Sequence, residues 1–518
     1  MHTHAPGFTD TNILISFFAN GCWIRNAGMM ITGFISRIGK RGISMLLLDK
    51  NGPFLYEQLF EALLQSIIQG DLKTNDALKP IRILSEELHI SINTVSRAYH
   101  QLLAEGYIRS VQGSGYYVEN LLTLPRSSVL YRKGQKEVVR ESIVPLKYDF
   151  NYESIESSLF PWTKWRKYMQ DVMLEESCST KIAYECNKGN VELRKSLCDY
   201  INNSRGVKCS WEQIVISAGT QYAMDIITEI LHELHEKVHT IGVEDPSFIG
   251  MQRIFTNKGY SIKELSMTDL GIDIDDLENS MCPLLYLTPS HQFPTGVTTS
   301  MPKRLQILEW AQKNRAYIIE NDYDNEFLYG EKPLPSIQSL STGQNVIYLS
   351  TLSKVLSPSL RCAYFVLPYK LMEIYEDKYK YYYSALPTYN QKALAYFIRD
   401  GHLERHVRKM SLLNRRKYGI FNKVIKEHLA GVVKIFPVPA GSHTLIQIPG
   451  CTSQEGLITK MRLRGFGIYG TKDYWRNQQK APENIFLFGF ESMPEEDLEG
   501  ACIEFTCALK EIIETLEM

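Results

Sequence analysis

The 518-residue sequence has almost no net charge: 57 Lys+Arg stand against 58 Asp+Glu, giving -1. That excludes a globally basic nucleic-acid coat and leaves room only for a local basic patch. Low-complexity tracts are missing, and 33 Gly and 21 Pro are ordinary for this length, so fibrous and disordered classes drop out. None of the ten cysteines is spaced C-x-x-C. Scattered in this way they read as reduced thiols, so the cytoplasm is the expected compartment and no metal site is expected. No clean apolar run reaches the roughly 18 residues of a membrane span. The apolar stretches within residues 12–35 are broken by Asn20, Arg25 and Asn26, and no basic segment precedes them as in a secretory signal. No membrane partner is expected.

What remains is a globular balance, 44% hydrophobic and 22% charged. At roughly 150 residues per domain the length suggests about three domains, or one large domain with one or two small ones. Domain-like patterning begins after Met45, and residues 1–44 are expected to be an extension without a function of its own.

Residues 45–120 read as a small helical domain with a hairpin. Leu55, Leu59, Leu63 and Ile67 recur at helical spacing, and Gly70 closes that helix. A short helix near Ile81–Leu88 follows, and Ser91 is positioned to cap a third helix. Val95, Ala98, Tyr99 and Leu102 share its apolar face. Asn93, Thr94, Ser96 and Arg97 lie elsewhere, and short polar side chains there suit entry into a DNA major groove. Tyr107–Ser110 and Tyr116–Val118 flank Gln112-Gly113-Ser114-Gly115, a hairpin with a glycine turn. The order helix, helix–turn–helix, hairpin is a winged helix–turn–helix. Residues 53–118 carry five Lys+Arg against seven acids, so the nonspecific DNA affinity is expected to be modest.

Residues 119–147 lack a helical or strand period and hold six Lys+Arg against three Glu. The linker, 121–147, reads as a flexible spacer, with contact to DNA phosphates as the alternative.

Residues 148–518 alternate helical segments with short apolar strands at 213–217, 240–243, 284–287, 316–319, 345–348 and 361–366. That alternation predicts an α/β domain with a largely parallel sheet, whose chemistry gathers at the carboxyl ends of the strands. The informative residues fall there. Gly219 leads into a helix beginning Thr220-Gln221, a ready phosphate site. Phe248 follows the next strand and could stack on a planar cofactor. Asn321-Asp322-Tyr323 ends another strand, and Thr351-Leu352-Ser353-Lys354 ends the one after it, with Arg361 seven residues on. A cofactor aldehyde needs one accessible amine, which Lys354 supplies as a Schiff base. Its phosphate needs hydroxyl donors and a guanidinium, which Thr351, Ser353 and Arg361 supply. Its phenolic oxygen needs a donor, which Tyr323 supplies.

The first segment resembles the GntR family of regulators in Leu55-Tyr56-Glu57-Gln58, Ser91, Asn93-Thr94-Val95, Arg97-Ala98-Tyr99, Glu105-Gly106-Tyr107 and Gly113-Ser114-Gly115. The resemblance implies that Arg82, Ser91, Asn93, Thr94, Arg97, Gly113, Ser114 and Gly115 approach a double-stranded DNA operator. Ile92 departs from the usual Arg, and Lys79-Pro80-Ile81 departs from Leu-Pro-Ser-Thr. Taken with the second segment, the chain resembles the MocR/GabR family, in which such a winged helix is joined to a class I aminotransferase-like domain. Leu159-Phe160-Pro161 with Trp165, Gly189 with Leu193-Arg194, and Ser204-Arg205-Gly206-Val207 add to the match. The fold this implies is α/β, a pyridoxal-phosphate-dependent transferase fold (aminotransferase class I) with an N-terminal winged helix–turn–helix. It also implies pyridoxal 5'-phosphate on Lys354, with Thr220, Gln221, Phe248, Asn321, Asp322, Tyr323, Thr351, Ser353 and Arg361 around it, and a homodimer. The implied function is a transcriptional regulator sensing a small-molecule effector: an amine, an amino acid or pyridoxal phosphate itself. The alternative is a working aminotransferase with an attached winged helix.

Three departures bear on that choice. The position that usually carries Asp facing the ring nitrogen is Asn321, so either Asp322 substitutes or the electron sink is weakened. Gly250 stands where the γ-aminobutyrate-sensing member has a carboxylate-binding Arg. The segment 485–490 also lacks the Arg that class I aminotransferases place near it. Both absences argue against simple amino-acid transamination.

Overall fold

A computed structural model describes residues 54–120, 145–234, 239–327, 334–342, 344–436 and 440–516. The expected extension 1–44 and most of the expected linker, 121–144, lie outside these residues. The chain divides into two compact units, Met1–Arg140 and Glu141–Met518.

In the first unit the helix Leu55–Gln69 stops on Gly70, whose φ of 83° is the left-handed conformation that ends helices cheaply at glycine. A short helix, Ile81–Glu87, precedes Ile92–Ala104. The last is capped by Ser91, whose hydroxyl accepts the Thr94 N–H at 3.1 Å. Strands β1 (Ile108–Val111) and β2 (Gly115–Val118) pair antiparallel. Leu59, Leu63, Ile67, Leu84, Val95, Ala98, Tyr99, Leu102, Ile108 and Val118 bury one common core, so all three helices and the hairpin depend on each other. The Tyr99 hydroxyl, carried into that core, donates to the Lys79 carbonyl at 2.8 Å.

The second unit opens with β3 (Tyr148–Asp149) and two helices, Trp162–Ser177 and Val191–Arg205. Its main sheet is built from β4 (Ile214–Ser217), β5 (Thr240–Asp245), β6 (Ser261–Thr268), β7 (Gly271–Ile272), β8 (Leu284–Leu287), β9 (Tyr317–Asn321), β10 (Val346–Thr351) and β11 (Ala363–Val366). The spatial order is β4-β11-β10-β9-β8-β5-β6-β7. The run β10-β9-β8-β5-β6 is parallel throughout, whereas β11 is antiparallel to both its neighbours. A largely parallel sheet is buried on both faces, and here each face has its own core. Val215, Tyr286, Ile319, Leu349 and Phe365 lie in one. On the other face, Ile216, Tyr348 and Tyr364 join the helices Trp162–Ser177 and Val191–Arg205.

A second sheet of the same unit takes β12 (Lys434–Ile435), β13 (His443–Gln447), β15 (Tyr469–Gly470) and β16 (Ile485–Gly489), while β14 (Phe466–Gly467) pairs with β3. Phe150, Phe421, Phe488 and Phe505 pack edge-to-face beneath it. Among the described residues no helix is long and apolar enough to cross a membrane.

Strand β9 runs two residues beyond the expected 316–319, because the ladder with β10 continues to the pair Leu349–Asn321 after the apolar residues end. This extension decides which way Asn321 and Asp322 point.

Leu102 is fully buried where the third helix meets the rest of the first unit. Leu102→Ala is expected to cost about 2–5 kcal/mol. Hydrogen exchange across Ile92–Ala104 should quicken accordingly, with the second unit's sheet unaffected.

Candidate functional site

Strand β4 turns at Gly219, whose φ is +101°, into the helix Thr220–Leu234. A Cβ on Gly219 would stand 2.3 Å from the Arg361 Nη2, so the guanidinium lies against backbone that only glycine leaves open. Arg361 itself has φ +49° after the tight turn Pro358–Leu360. The helix start offers N–H groups without intrahelical partners and the positive end of the helix dipole. With Arg361 across it, this is an anion cradle. Thr351 shapes it from within: its hydroxyl accepts the Ser353 N–H at 3.1 Å and donates to the Cys362 carbonyl at 2.9 Å. Ser353 Oγ lies 3.0 Å from that hydroxyl.

Beyond the cradle, Lys354 Nζ donates to the Tyr152 carbonyl and lies 4.5 Å from the centre of the Tyr152 ring. Burial lowers the basicity of this amine, while the charges of Glu491, Asp324 and Glu153 act in the opposite sense. A lysine held below its ordinary range is a better nucleophile toward an aldehyde.

Asn321 ends β9 on the face that carries Ile319, because side chains alternate along a strand. Its Nδ2 donates to the Tyr286 hydroxyl at 2.8 Å, and its buried Oδ1 has no hydrogen-bond partner among the described residues. Phe248 is half-buried, edge-on to Phe293 with centroids 5.9 Å apart. A Cβ at Gly250 would meet Phe248 Cε1 at 2.5 Å and Gln221 Nε2 at 2.8 Å. Phe248 and Gln221 therefore occupy the space that a side chain at 250 would need. Tyr323 Oη lies 3.5 Å from His291 Nδ1, and burial keeps the phenol protonated, a donor.

Asp322 does not join this group. It points to the opposite face, where its Oδ2 accepts from Arg205 Nε at 2.7 Å and from the Tyr348 hydroxyl at 2.8 Å. The carboxylate is committed to that buried pair, leaving Asn321 as the residue on the cradle's side of the sheet.

Four features escaped the sequence reading. Tyr152, from the unit's first strand region, supplies the carbonyl that holds Lys354. His291 Nδ1 is 2.7 Å from Asp324 Oδ2, and the His443 ring lies 4.8 Å from that of His291. Burial, with the charges of His291 and Lys354, holds His443 well below the usual histidine range. Glu491, two residues past β16, is pushed up to about 7 by burial, against the charge of Lys354. Only its place directly after a buried apolar run could have marked Glu491, and such a carboxylate is usually solvated.

In the first unit Arg82, Ser91, Asn93 and Arg97 are exposed and Thr94 half-buried. Ser91 and Thr94 hydroxyls lie 2.8 Å apart. The Arg97 guanidinium stacks over the Tyr56 ring at 3.9 Å, which limits its freedom. Ile92 is exposed at the first turn of the same helix. Gly113, Ser114 and Gly115 form the exposed tip of the hairpin, the two glycines with φ of +78° and +111°.

A winged helix in the same chain as an aminotransferase-type sheet, the latter with a lysine and an anion cradle at its strand ends, defines a regulator that carries an enzyme fold. Comparison with known proteins agrees. Residues 55–118 match the gntR family of bacterial regulatory proteins, and residues 151–469 match the aminotransferase class I and II family. The chain is 32% identical over 467 residues to the HTH-type transcriptional regulator YdeL of Bacillus subtilis, covering 88% of this chain and 97% of that one. It is 31% identical over 430 residues to the probable rhizopine catabolism regulatory protein MocR of Rhizobium meliloti, covering 80% and 86%. The HTH-type pyridoxine biosynthesis regulator PdxR of Corynebacterium glutamicum is 25% identical, covering 87% and 95%. Among solved structures, the multiple substrate aminotransferase of Thermococcus profundus superposes with a TM-score of 0.63 at 21% identity, covering 71% and 92%. The α-aminoadipate aminotransferase LysN of Thermus thermophilus does so at 0.63 and 23%, covering 71% and 93%. The chain belongs to the MocR/GabR family of transcriptional regulators, whose aminotransferase-like domain is of the pyridoxal-phosphate-binding fold.

The residues present suit that cofactor. The cradle takes a dianionic phosphate, the buried Asn321 Oδ1 lacks a donor, and Lys354 and Tyr323 supply the amine and the phenolic donor. Gly219→Ala places a methyl into the Arg361 guanidinium and is expected to weaken pyridoxal-phosphate binding at least ten-fold in a spectroscopic titration. Asp322→Asn strands a buried arginine and is expected to cost about 3–5 kcal/mol in denaturant unfolding.

Proposed function

We propose that this protein binds pyridoxal phosphate as a receptor for a small effector and converts effector binding into a change in operator affinity. The observation that carries the reading is the pairing of a complete phosphate and amine site with an uncharged Asn321 on the ring side. A bound pyridoxal aldehyde supplies a group that condenses reversibly with primary amines. Lys354 holds it covalently. Thr220, Gln221, Ser353 and Arg361 hold its phosphate, with Thr351 bracing Ser353. Phe248 packs on the ring, Tyr323 donates to its phenolic oxygen, and Asn321 meets its nitrogen without a charge. A neutral amide does not hold a ring nitrogen protonated as a carboxylate does. The site is thus suited to binding amines more than to driving their transamination.

On the DNA side, Arg82, Ser91, Asn93, Thr94 and Arg97 face a double-stranded operator, and the tip Gly113-Ser114-Gly115 follows the backbone as the wing. Residues 45–120 form the DNA-binding domain, 121–147 the linker and 148–518 the effector domain, which also dimerises the protein in the cytoplasm. Lys354 and Tyr323 are the features that favour the rival reading, an active aminotransferase. Sustained turnover of an amino donor with a keto-acid acceptor would decide for it.

The first test is the visible spectrum of full-length protein incubated with pyridoxal phosphate and then dialysed. Wild type should retain a cofactor band and Lys354→Ala should lose it; absence of the band in both removes the sensor. For the DNA side, Arg97→Ala is expected to weaken operator binding by about 1–3 kcal/mol, measured at fixed salt by fluorescence anisotropy.

A further inference from the structure

The far side of Lys354 from the phosphate cradle has a character of its own. Tyr152, whose carbonyl and ring hold the Lys354 ammonium, packs against Gly489 at the end of β16. A Cβ there would stand 2.3 Å from Tyr152 Cα. Two residues further on, the chain carries Glu491 into the interior. Glu491 Oε1 lies 3.4 Å from Asn414 Nδ2, while Oε2 is buried without a hydrogen-bond partner among the described residues. Asn414 Oδ1 is likewise buried and without a partner among the described residues, and Ser442 Oγ, also buried, lies where it can donate to the Glu491 carboxylate. Ser442 is fixed alongside, its carbonyl accepting the Phe490 N–H at 3.3 Å.

The atoms gathered here are a carboxylate oxygen, an amide oxygen and a hydroxyl. All three accept hydrogen bonds; the amide oxygen can do nothing else, and the carboxyl does nothing else once it is ionised. The adjoining wall is apolar and aromatic, formed by Tyr152, Phe293, Leu445 and Leu487. Aromatic faces beside a carboxylate favour cations. The one buried ammonium next to Glu491, Lys417, is bonded to Glu156 Oε2 at 3.2 Å and to the Glu491 carbonyl at 3.1 Å, so it serves the backbone and another acid. The Lys354 ammonium is held nearby on the Tyr152 carbonyl and ring, and Glu491 is foremost among the carboxylates acting on it. Once Lys354 is committed to the cofactor, the surrounding negative charge is no longer met by its ammonium.

We propose that Glu491, Asn414 and Ser442 form a subsite for a positively charged group of the effector, which makes that effector a primary amine bearing a second cationic nitrogen in place of a carboxylate. The segment 485–490 has no Arg and Gly250 has no room for a side chain, so an acid group of a ligand goes unmatched at both places. The inference rests on the sensor reading and narrows it.

Three four-carbon probes separate the possibilities on the cofactor-loaded full-length protein: butane-1,4-diamine, butylamine and 4-aminobutanoate. The readout is the concentration that half-saturates the change in the visible cofactor band. The diamine should act at a concentration at least ten-fold below either of the others. Glu491→Gln should bring the diamine to within about two-fold of butylamine; the ratio of the two is the readout, because any effect of the substitution through Lys354 is common to both amines, and a retained cofactor band shows that this variant folds. Ser442→Ala, which removes one acceptor and no charge, should reduce the diamine's advantage by a smaller factor. The proposal is overturned if 4-aminobutanoate matches or exceeds the diamine, if none of the three perturbs the band, or if the preference survives in both variants. Loss of the band in wild type is a different failure: it removes the sensor reading together with the subsite.

Discussion

The site hangs on a buried ion pair that is not part of it. Asp322 receives Arg205 and the Tyr348 hydroxyl on one face of the main sheet. Its backbone is pinned as well, N–H to the Leu349 carbonyl and its own carbonyl to Ser350 Oγ and Asn325 Nδ2. Arg205 uses its remaining nitrogens on the Leu334 carbonyl and Ser290 Oγ. One carboxylate thus ties a helix, two strands and two loops together. A buried pair of this kind is a weak source of stability compared with apolar packing, yet removing one partner leaves an uncompensated charge. Its value here is directional. With Asp322 fixed on one face, alternation sends Asn321 to the other. A single-residue slip would exchange an amide for a carboxylate on the cradle's side of the sheet.

That direction carries a chemical consequence. An enzyme of this fold uses a protonated ring nitrogen to absorb electrons, and an adjacent carboxylate keeps the proton there. Asn321 offers an acceptor without the charge. Binding an amine needs the aldehyde, the phosphate anchors and Lys354, and it does not need a strong electron sink. The same scaffold can keep its affinity for cofactor and amine while its power to turn the amine over declines.

Much of this was legible in the sequence because the relevant residues are contiguous. The turn at Gly219, the run Thr351–Lys354 and the winged-helix residues Ser91–Arg97 each lie within one local element, where pattern and capping rules apply directly. What stayed hidden joins distant segments. Nothing local says that Gly219 must lack a side chain because Arg361 crosses it, or that the Tyr152 carbonyl receives Lys354. The choice between Asn321 and Asp322 stayed open because the apolar signal of β9 ends at Ile319 while its ladder runs on to Asn321. The second sheet was likewise faint, since β12 and β15 are two residues each, too short for alternation to register.

The contact between Lys354 and Tyr152 also bears on how a ligand signal could leave the site. An effector alters operator affinity only to the extent that it binds two arrangements of the protein unequally. Tyr152 lies four residues past Tyr148, where β3 begins, and the segment joining the winged helix to this unit ends just before it. Residues 147–150 are bonded in series to Gly465 and Gly467, and Gly489 donates to the Phe150 carbonyl. An amine that competes for Lys354 therefore acts on a lysine whose alternative partner is the root of that segment. The Tyr152 carbonyl that Lys354 grips thus belongs to a stretch of backbone hydrogen-bonded to Gly465, Gly467 and Gly489. The strength of that grip depends on the charge around it, and Glu491 is foremost among the carboxylates acting on Lys354.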